Sequence, residues 1–230
     1  MFPPMTIIDL ILKGLHKKPC LFFGLALANF LFIIAFTTFC SADVFKDPLA
    51  GQPRYREAFA MLEAKDFLGA QSAFDSLIRQ SSVSAGAFYG RARVRQELGD
   101  NNGALDDYNK SLRLDPSNAK AYNNRGLVYG SLKNLRAAKA NFDKAISIDP
   151  RFDKAYNNRG VTRGALGDIS GAVVDFDNSL KINPRYAAAW RNLGLTREMM
   201  GDLKSACNHW RQAASLGQLD VAEWVKRQCT

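Results

Sequence analysis

Residues 121–150 read AYNNRGLVYGSLKNLRAAKANFDKAISIDP, and residues 155–184 read AYNNRGVTRGALGDISGAVVDFDNSLKINP. The two stretches begin 34 residues apart and share their opening AYNNRG. The same register continues back to Ala87 and forward to Ala189. A fixed period of this length predicts a stack of small units, because one such unit buries its apolar face only against a neighbour.

Anchor residues keep the step of 34 along most of the chain. Small side chains fall at Ala70, Ala104, Ala138, Ala172 and Ala206, and again at Ala58, Ala92, Gly126, Gly160 and Gly194. Aromatic side chains fall at Phe74, Tyr108, Phe142, Phe176 and Trp210. Prolines that stop helices fall at Pro116, Pro150 and Pro184. The alanine and the aromatic four residues later share one helix face, so each unit is predicted to be a hairpin of two helices.

This pattern resembles the tetratricopeptide repeat (TPR) family, in which an aromatic residue opens each unit. The opening aromatic residues are Phe88, Tyr122, Tyr156 and Trp190. The resemblance implies an all-α, right-handed superhelical solenoid of about five helical hairpins. The expected units are 51–84, 85–118, 119–152, 153–186 and 187–220, followed by a capping helix at 219–230. The first unit is degenerate, since Arg54 replaces the aromatic residue and Ser82 replaces the proline.

The resemblance also implies a concave groove lined by the first helix of each unit. Asn124, Asn158 and Asn192 occupy one position in three successive units, and a carboxamide offers the donors and the acceptor that a peptide backbone needs. The competing interpretation is that these asparagines bond the neighbouring helix. The basic groove residues are expected to favour an acidic protein or peptide; they are Lys120, Lys154, Arg191 and Arg93.

Other charged residues are assigned to structure. The carboxylate clamp of TPR chaperone cofactors is not reproduced, because Asn158 stands where the clamp has arginine. Arg125 and Arg159 are expected to bridge adjacent repeats instead. The acidic pairs on the second helices are expected to lie on a solvated convex surface; they are Asp106 with Asp107, and Asp175 with Asp177.

The N-terminal segment 1–42 contains 21 uncharged residues from Cys20 to Cys40, preceded by Lys17 and Lys18. A helix of that length is able to cross a bilayer, and the basic flank favours the cytoplasmic side. Two alternatives stay open: a signal peptide cleaved before Asp43, or an uncleaved hydrophobic anchor helix. Either places the repeats outside the cytoplasm, in the bacterial periplasm or anchored to the inner membrane. Residues 43–52 are predicted to be a linker.

Cys207 and Cys229 are predicted to form a disulfide that staples the capping helix, the alternative being two free buried thiols. No catalytic or metal-binding motif is recognisable, and no cofactor is expected. The net charge is +9, and along the repeats the basic residues are interleaved with acidic ones. The export segment argues against nucleic acid as a partner. The sequence therefore predicts a non-enzymatic adaptor that binds proteins or peptides, with a self-assembling envelope scaffold as the alternative.

Overall fold

The computed structural model describes residues 47–229, and within that range every regular element is a helix. The helices are α1 Pro53–Glu63, α2 Phe67–Gln80, α3 Ala85–Glu97, α4 Asn101–Leu114, α5 Ala119–Ser131, α6 Leu135–Ile148, α7 Asp153–Ala165, α8 Ile169–Ile182, α9 Ala187–Met199, α10 Leu203–Ser215 and α11 Leu219–Gln228. Helices α1 to α10 pair as five hairpins, and α11 packs on α10. The predicted all-α solenoid with a C-terminal helix is confirmed. The predicted N-terminal hydrophobic helix lies outside the described residues.

The turn inside each hairpin repeats one chemical device. Its first residue has a left-handed backbone, at Lys65, Gly99, Lys133, Gly167 and Gly201. The next residue caps the second helix by accepting a hydrogen bond from the backbone N–H three positions on; these caps are Asp66, Asp100, Asn134, Asp168 and Asp202. Such a cap stabilises a helix start by about 1 kcal/mol. The two lysines adopt a conformation that favours glycine.

Close helix packing explains the glycines of the first helices. A methyl group added at Gly126 or Gly160 would lie 2.7 Å from the ring of the aromatic residue on the second helix of the same hairpin, Phe142 or Phe176. At Gly194 an added methyl group would lie still closer to the indole of Trp210. These contacts are too short for a side chain, so the third, fourth and fifth hairpins need glycine at this level, where the first two hairpins have Ala58 and Ala92.

Partly buried arginines tie each interior hairpin to the hairpin before it. Arg159 on α7 donates to both carboxylate oxygens of Asp175 on α8, and to Asp143 on α6. Arg91 makes the same three-way contact with Asp107 on α4 and Asp75 on α2. The expected bridging role of Arg159 therefore appears in the contacts. The expectation of a solvated convex surface is wrong for Asp107 and Asp175, whose side chains are 0% exposed.

The third hairpin has the same arrangement with amides in place of carboxylates. Arg125 donates to Oδ1 of Asn141 at 2.8 Å and to Oδ1 of Asn109 at 2.7 Å. Burial lowers the pKa of Arg125. By contrast, hydrogen bonds with Asp107 raise the pKa of Arg91. We call the contact between one hairpin and the next a joint. The joint between the second and third hairpins has the same geometry as its neighbours, but no carboxylate within it compensates the guanidinium charge.

The C-terminal joint is built differently. Leu193 is buried where the interior joints have arginine, and His209 stacks on Trp190 with ring centroids 5.5 Å apart. Cys207 and Cys229 are joined through their sulfur atoms, with Cα atoms 5.5 Å apart. Trp224 of α11 packs edge-on against Trp210 of α10. Apolar, aromatic and covalent contacts thus replace, at this end, the arginine contacts of the interior joints.

The segment before α1 packs on the first joint. Leu49 is 3% exposed, and the Asp47 carboxylate accepts hydrogen bonds from the Ser84 hydroxyl and the Gly86 N–H. Burial, with the Asp47 carboxylate as a second cause, raises the pKa of Tyr55 to about 12. Among residues 47–229, no helix is long and apolar enough to span a membrane.

Candidate peptide-binding groove

The three predicted groove asparagines form a hydrogen-bonded ladder across the first helices. Asn192 on α9 donates to Oδ1 of Asn157 on α7 at 2.9 Å, and Asn158 on α7 donates to Oδ1 of Asn123 on α5 at 2.9 Å. Asn124 donates to the hydroxyl oxygen of Tyr89 on α3 at 3.2 Å. The first helix of each of these hairpins is thereby bonded to the first helix of the preceding hairpin. This is the contact that the competing interpretation described.

The ladder still leaves hydrogen-bonding capacity on the groove side. Within each pair of adjacent asparagines, Asn123 donates to Asn124 and Asn157 donates to Asn158. In these bonds, Asn124 and Asn158 each use one of the two N–H groups and one oxygen lone pair of the side-chain carboxamide. Both side chains are only partly buried. The ladder fixes the orientation of these amides and leaves them one donor and one acceptor site each.

A cavity of about 390 Å³ opens between α5 and α7, with Asn158 in its wall. Its apolar lining includes Leu127 and Val161, whose side chains are 37% and 50% exposed. Gly130 and Ala165 widen it, because they leave space where larger side chains would stand. The sequence reasoning placed polar and basic groups in the groove and missed this apolar floor, although Leu127 and Val161 repeat at the 34-residue step.

The four predicted basic groove residues fall into two classes. Arg191 donates to Asp220 of α11 at 2.8 Å and lies over the Trp224 ring, while Arg93 pairs with Glu63 on α1 at 2.9 Å. Lys120 and Lys154 are exposed at the starts of α5 and α7. The structure also places Lys133 in the cavity lining, a residue that the sequence reasoning did not select.

Residues 47–229 contain no group of three His, Cys, Asp or Glu side chains arranged to hold a metal ion. His209 is stacked on Trp190, and burial lowers its pKa. Tyr89 at the end of the ladder also has its pKa raised by burial, so its hydroxyl stays protonated and able to donate. The cavity lining combines the amide of Asn158, the apolar side chains of Leu127 and Val161, and Lys133, and it contains no acidic residue.

Hairpins of two helices, stacked in sequence around an open groove, define a helical-repeat scaffold. Two family models match the chain: a TPR repeat model at residues 92–133 and a tetratricopeptide repeat model at residues 119–152. Residues 92–152 therefore consist of tetratricopeptide repeats. A comparison with curated protein sequences found no significant match.

Solved structures share the fold at low sequence identity. MamA (residues 41 to the end) from Desulfovibrio magneticus RS-1 superposes with a TM-score of 0.63 and 19% identity, over 70% of this chain and 92% of MamA. YrrB, described as a TPR protein with an unusual peptide-binding site, gives 0.61 and 20%, over 84% and 98%. PilW, a type IV pilus biogenesis factor, gives 0.66 and 24%, over 72% and 77%. At these identities the likeness establishes the fold alone.

Proposed function

We propose that this protein is a non-enzymatic adaptor that binds a protein or an extended peptide in its concave groove. The observation that carries the proposal is the open cavity between α5 and α7, where exposed Leu127 and Val161 lie beside the oriented amide of Asn158. An apolar floor with a few fixed polar groups is the usual composition of a binding site. The peptide-binding site named for YrrB is in keeping with this use of the fold.

The binding surface is tested by photo-crosslinking in native cells. A benzoyl-phenylalanine at position 161 in the groove is expected to capture a partner, and one at position 174 is the control. Val174 is similarly exposed, at 55%, but lies on the second helix α8. Capture from position 174 and not from position 161 would overturn the groove assignment.

The asparagine triple variant of Asn124, Asn158 and Asn192 to alanine gives a second test. Because these side chains also bond adjacent helices, its thermal unfolding must be measured first. We expect reduced partner recovery at a temperature where the variant remains folded. Unchanged recovery would limit the ladder to a structural role.

We also propose that the repeats act outside the cytoplasm. The proposal rests on the uncharged segment from Cys20 to Cys40 with its basic flank and on the cysteine pair at 207 and 229, since bridges persist in oxidising compartments. Alkaline phosphatase fused after Thr230 is expected to be active, and deletion of residues 20–40 is expected to abolish that activity. An inactive fusion to the full chain would contradict the proposal.

A further inference from the structure

The net charge of the solenoid is concentrated in its third hairpin. Residues 51–118 contain equal numbers of acidic and basic side chains, whereas residues 119–152 alone carry +5. The residues that produce this charge are Lys120, Arg125, Lys133, Arg136, Lys139, Lys144 and Arg151, against Asp143 and Asp149. A charge of one sign on one unit attracts a partner of the opposite sign to that unit.

The interior of the third hairpin adds to this field. In the second and fourth hairpins the partly buried arginines are neutralised by Asp107 and Asp175. In the third hairpin Arg125 contacts only the amide oxygens of Asn109 and Asn141 within its joint. An arginine stays charged in a protein, so this guanidinium contributes an uncompensated positive charge behind the groove.

The cavity meets this charge at one edge. Lys133 lines it together with Leu127 and Val161, and its backbone has a φ of +60°. The same turn position holds glycine in the second, fourth and fifth hairpins, and lysine again at Lys65 in the first. A residue other than glycine costs free energy in this conformation. The lysine at position 133 thus keeps a positive charge beside the apolar floor at an energetic cost.

We propose that the cavity between the third and fourth hairpins holds an acidic peptide segment with a central apolar side chain. The inference rests on the proposed peptide-binding function and names the class of peptide. The apolar side chain contacts Leu127 and Val161, and carboxylates on either side of it pair with Lys133 at the edge of the cavity and with Lys120 and Lys154 beyond it, at the starts of α5 and α7. Lys120 and Lys133 stand at opposite ends of α5, which spans about 20 Å, the reach of about six extended residues.

The test uses the full chain in a nonionic detergent and fluorescein-labelled hexapeptides, with binding followed by fluorescence anisotropy. The probe is Asp-Glu-Leu-Leu-Glu-Asp. The comparison peptides are Lys-Arg-Leu-Leu-Arg-Lys, Ser-Gly-Leu-Leu-Gly-Ser and Asp-Glu-Ser-Ser-Glu-Asp. We expect the acidic-apolar probe to bind about tenfold more tightly than each of the others, and its affinity to fall as salt rises.

Variants locate the site on the protein. Lys133→Gln and Val161→Ser are each expected to weaken the probe by about threefold to tenfold. Arg136→Gln and Val174→Ser remove an exposed charge and an exposed valine from the second helices α6 and α8, outside the cavity lining. Each is expected to weaken the probe by less than about twofold, because Arg136 contributes only to the general charge of the hairpin, which salt screens. Thermal melts establish that all four variants are folded.

Each result decides a different claim. Equal binding of the neutral and acidic Leu-Leu peptides, lost in Val161→Ser but not in Lys133→Gln, overturns the acidic class and leaves the groove function standing. Equal losses from Arg136→Gln and Lys133→Gln place the acidic partner on the general surface and also overturn the inference. Failure of every peptide to bind overturns it as well, while crosslinking from position 161 tests the groove independently.

Discussion

The interior joints and the C-terminal joint of this solenoid hold equivalent helices together by different chemistry. Arg91, Arg125 and Arg159 each bond the second helix of their own hairpin and the second helix of the hairpin before it. The fifth hairpin has Leu193 at the same position, and a disulfide and two tryptophan contacts follow it. An interior hairpin is covered on both sides, whereas the end has only one short helix to cover it. The arginine contacts therefore occur in hairpins that have a complete hairpin on each side, whereas the terminal hairpin, covered on one side by α11 alone, is held by apolar, aromatic and covalent contacts.

The largest expected effect comes from removing the buried carboxylate of Asp107, which pairs with Arg91. Asp107→Ala leaves Arg91 and Arg95 without the carboxylate that both contact, and should reduce the free energy of unfolding by about 3–5 kcal/mol. Urea denaturation followed by circular dichroism measures the loss. Asp106→Ala is the matched control, because Asp106 is the adjacent residue and is exposed. A loss below that of the control would mean that the clamp contributes little to the joint.

Opening the disulfide tests the other kind of joint. Cys207 and Cys229 are 22 residues apart, and a loop of that order corresponds to about 3 kcal/mol of stabilisation. The double variant Cys207→Ser/Cys229→Ser should lose that amount, and hydrogen exchange should locate the loosening in α10 and α11. Mass spectrometry of exported protein is the prior check, since two alkylatable thiols without reductant would exclude the bridge.

Asn141 accepts a hydrogen bond from Arg125. Replacing this amide by a carboxylate should not stabilise the third hairpin unless a second residue is changed with it. Asn141 also donates to the Ala137 carbonyl, while in the fourth hairpin Arg163 donates to the equivalent Gly171 carbonyl and to Asp175. Asn141→Asp alone should therefore destabilise by about 1–2 kcal/mol.

Tyr129 occupies the position of Arg163 in the third hairpin. Tyr129→Arg combined with Asn141→Asp should recover the stability lost in Asn141→Asp, with a coupling energy of about 1–3 kcal/mol in a double-mutant cycle. Additive effects of the two substitutions on the free energy of unfolding would show that a carboxylate at position 141 does not need an arginine at position 129.

The smallest expected effect is the pH dependence of the C-terminal joint. Burial and the nearby Arg197 lower the pKa of His209, although Asp177 and Asp202 act in the opposite direction. The unfolded chain then binds the proton more readily, so stability is expected to fall as pH drops through the usual histidine range near 6.5. His209→Gln should flatten the dependence of the unfolding midpoint on pH between 7.5 and 5. A profile unchanged by the substitution would assign the dependence to carboxylates elsewhere.

The repeat architecture followed from the sequence because its signals are local. Fixed spacings of alanine, aromatic residue and proline define each hairpin, and Gly99, Gly167 and Gly201 adopt a left-handed backbone at the turns inside the hairpins. The groove was predicted less well. Asn124, Asn158 and Asn192 donate to the first helix of the preceding hairpin. Arg191 and Arg93 are paired with acidic residues on other helices, and Lys133 was missed.

By itself, the sequence determined that each unit of 34 residues forms a hairpin, since helix propensity, capping and turn chemistry act within a few residues. Only the stacking of the hairpins decided that Asp107 is buried while the adjacent Asp106 is exposed, and that the Asn158 amide donates to Asn123. Those outcomes depend on the angle and distance at which one hairpin stacks on the next. Residues 35 apart in the chain meet there, and no local pattern specifies which of their side chains come into contact.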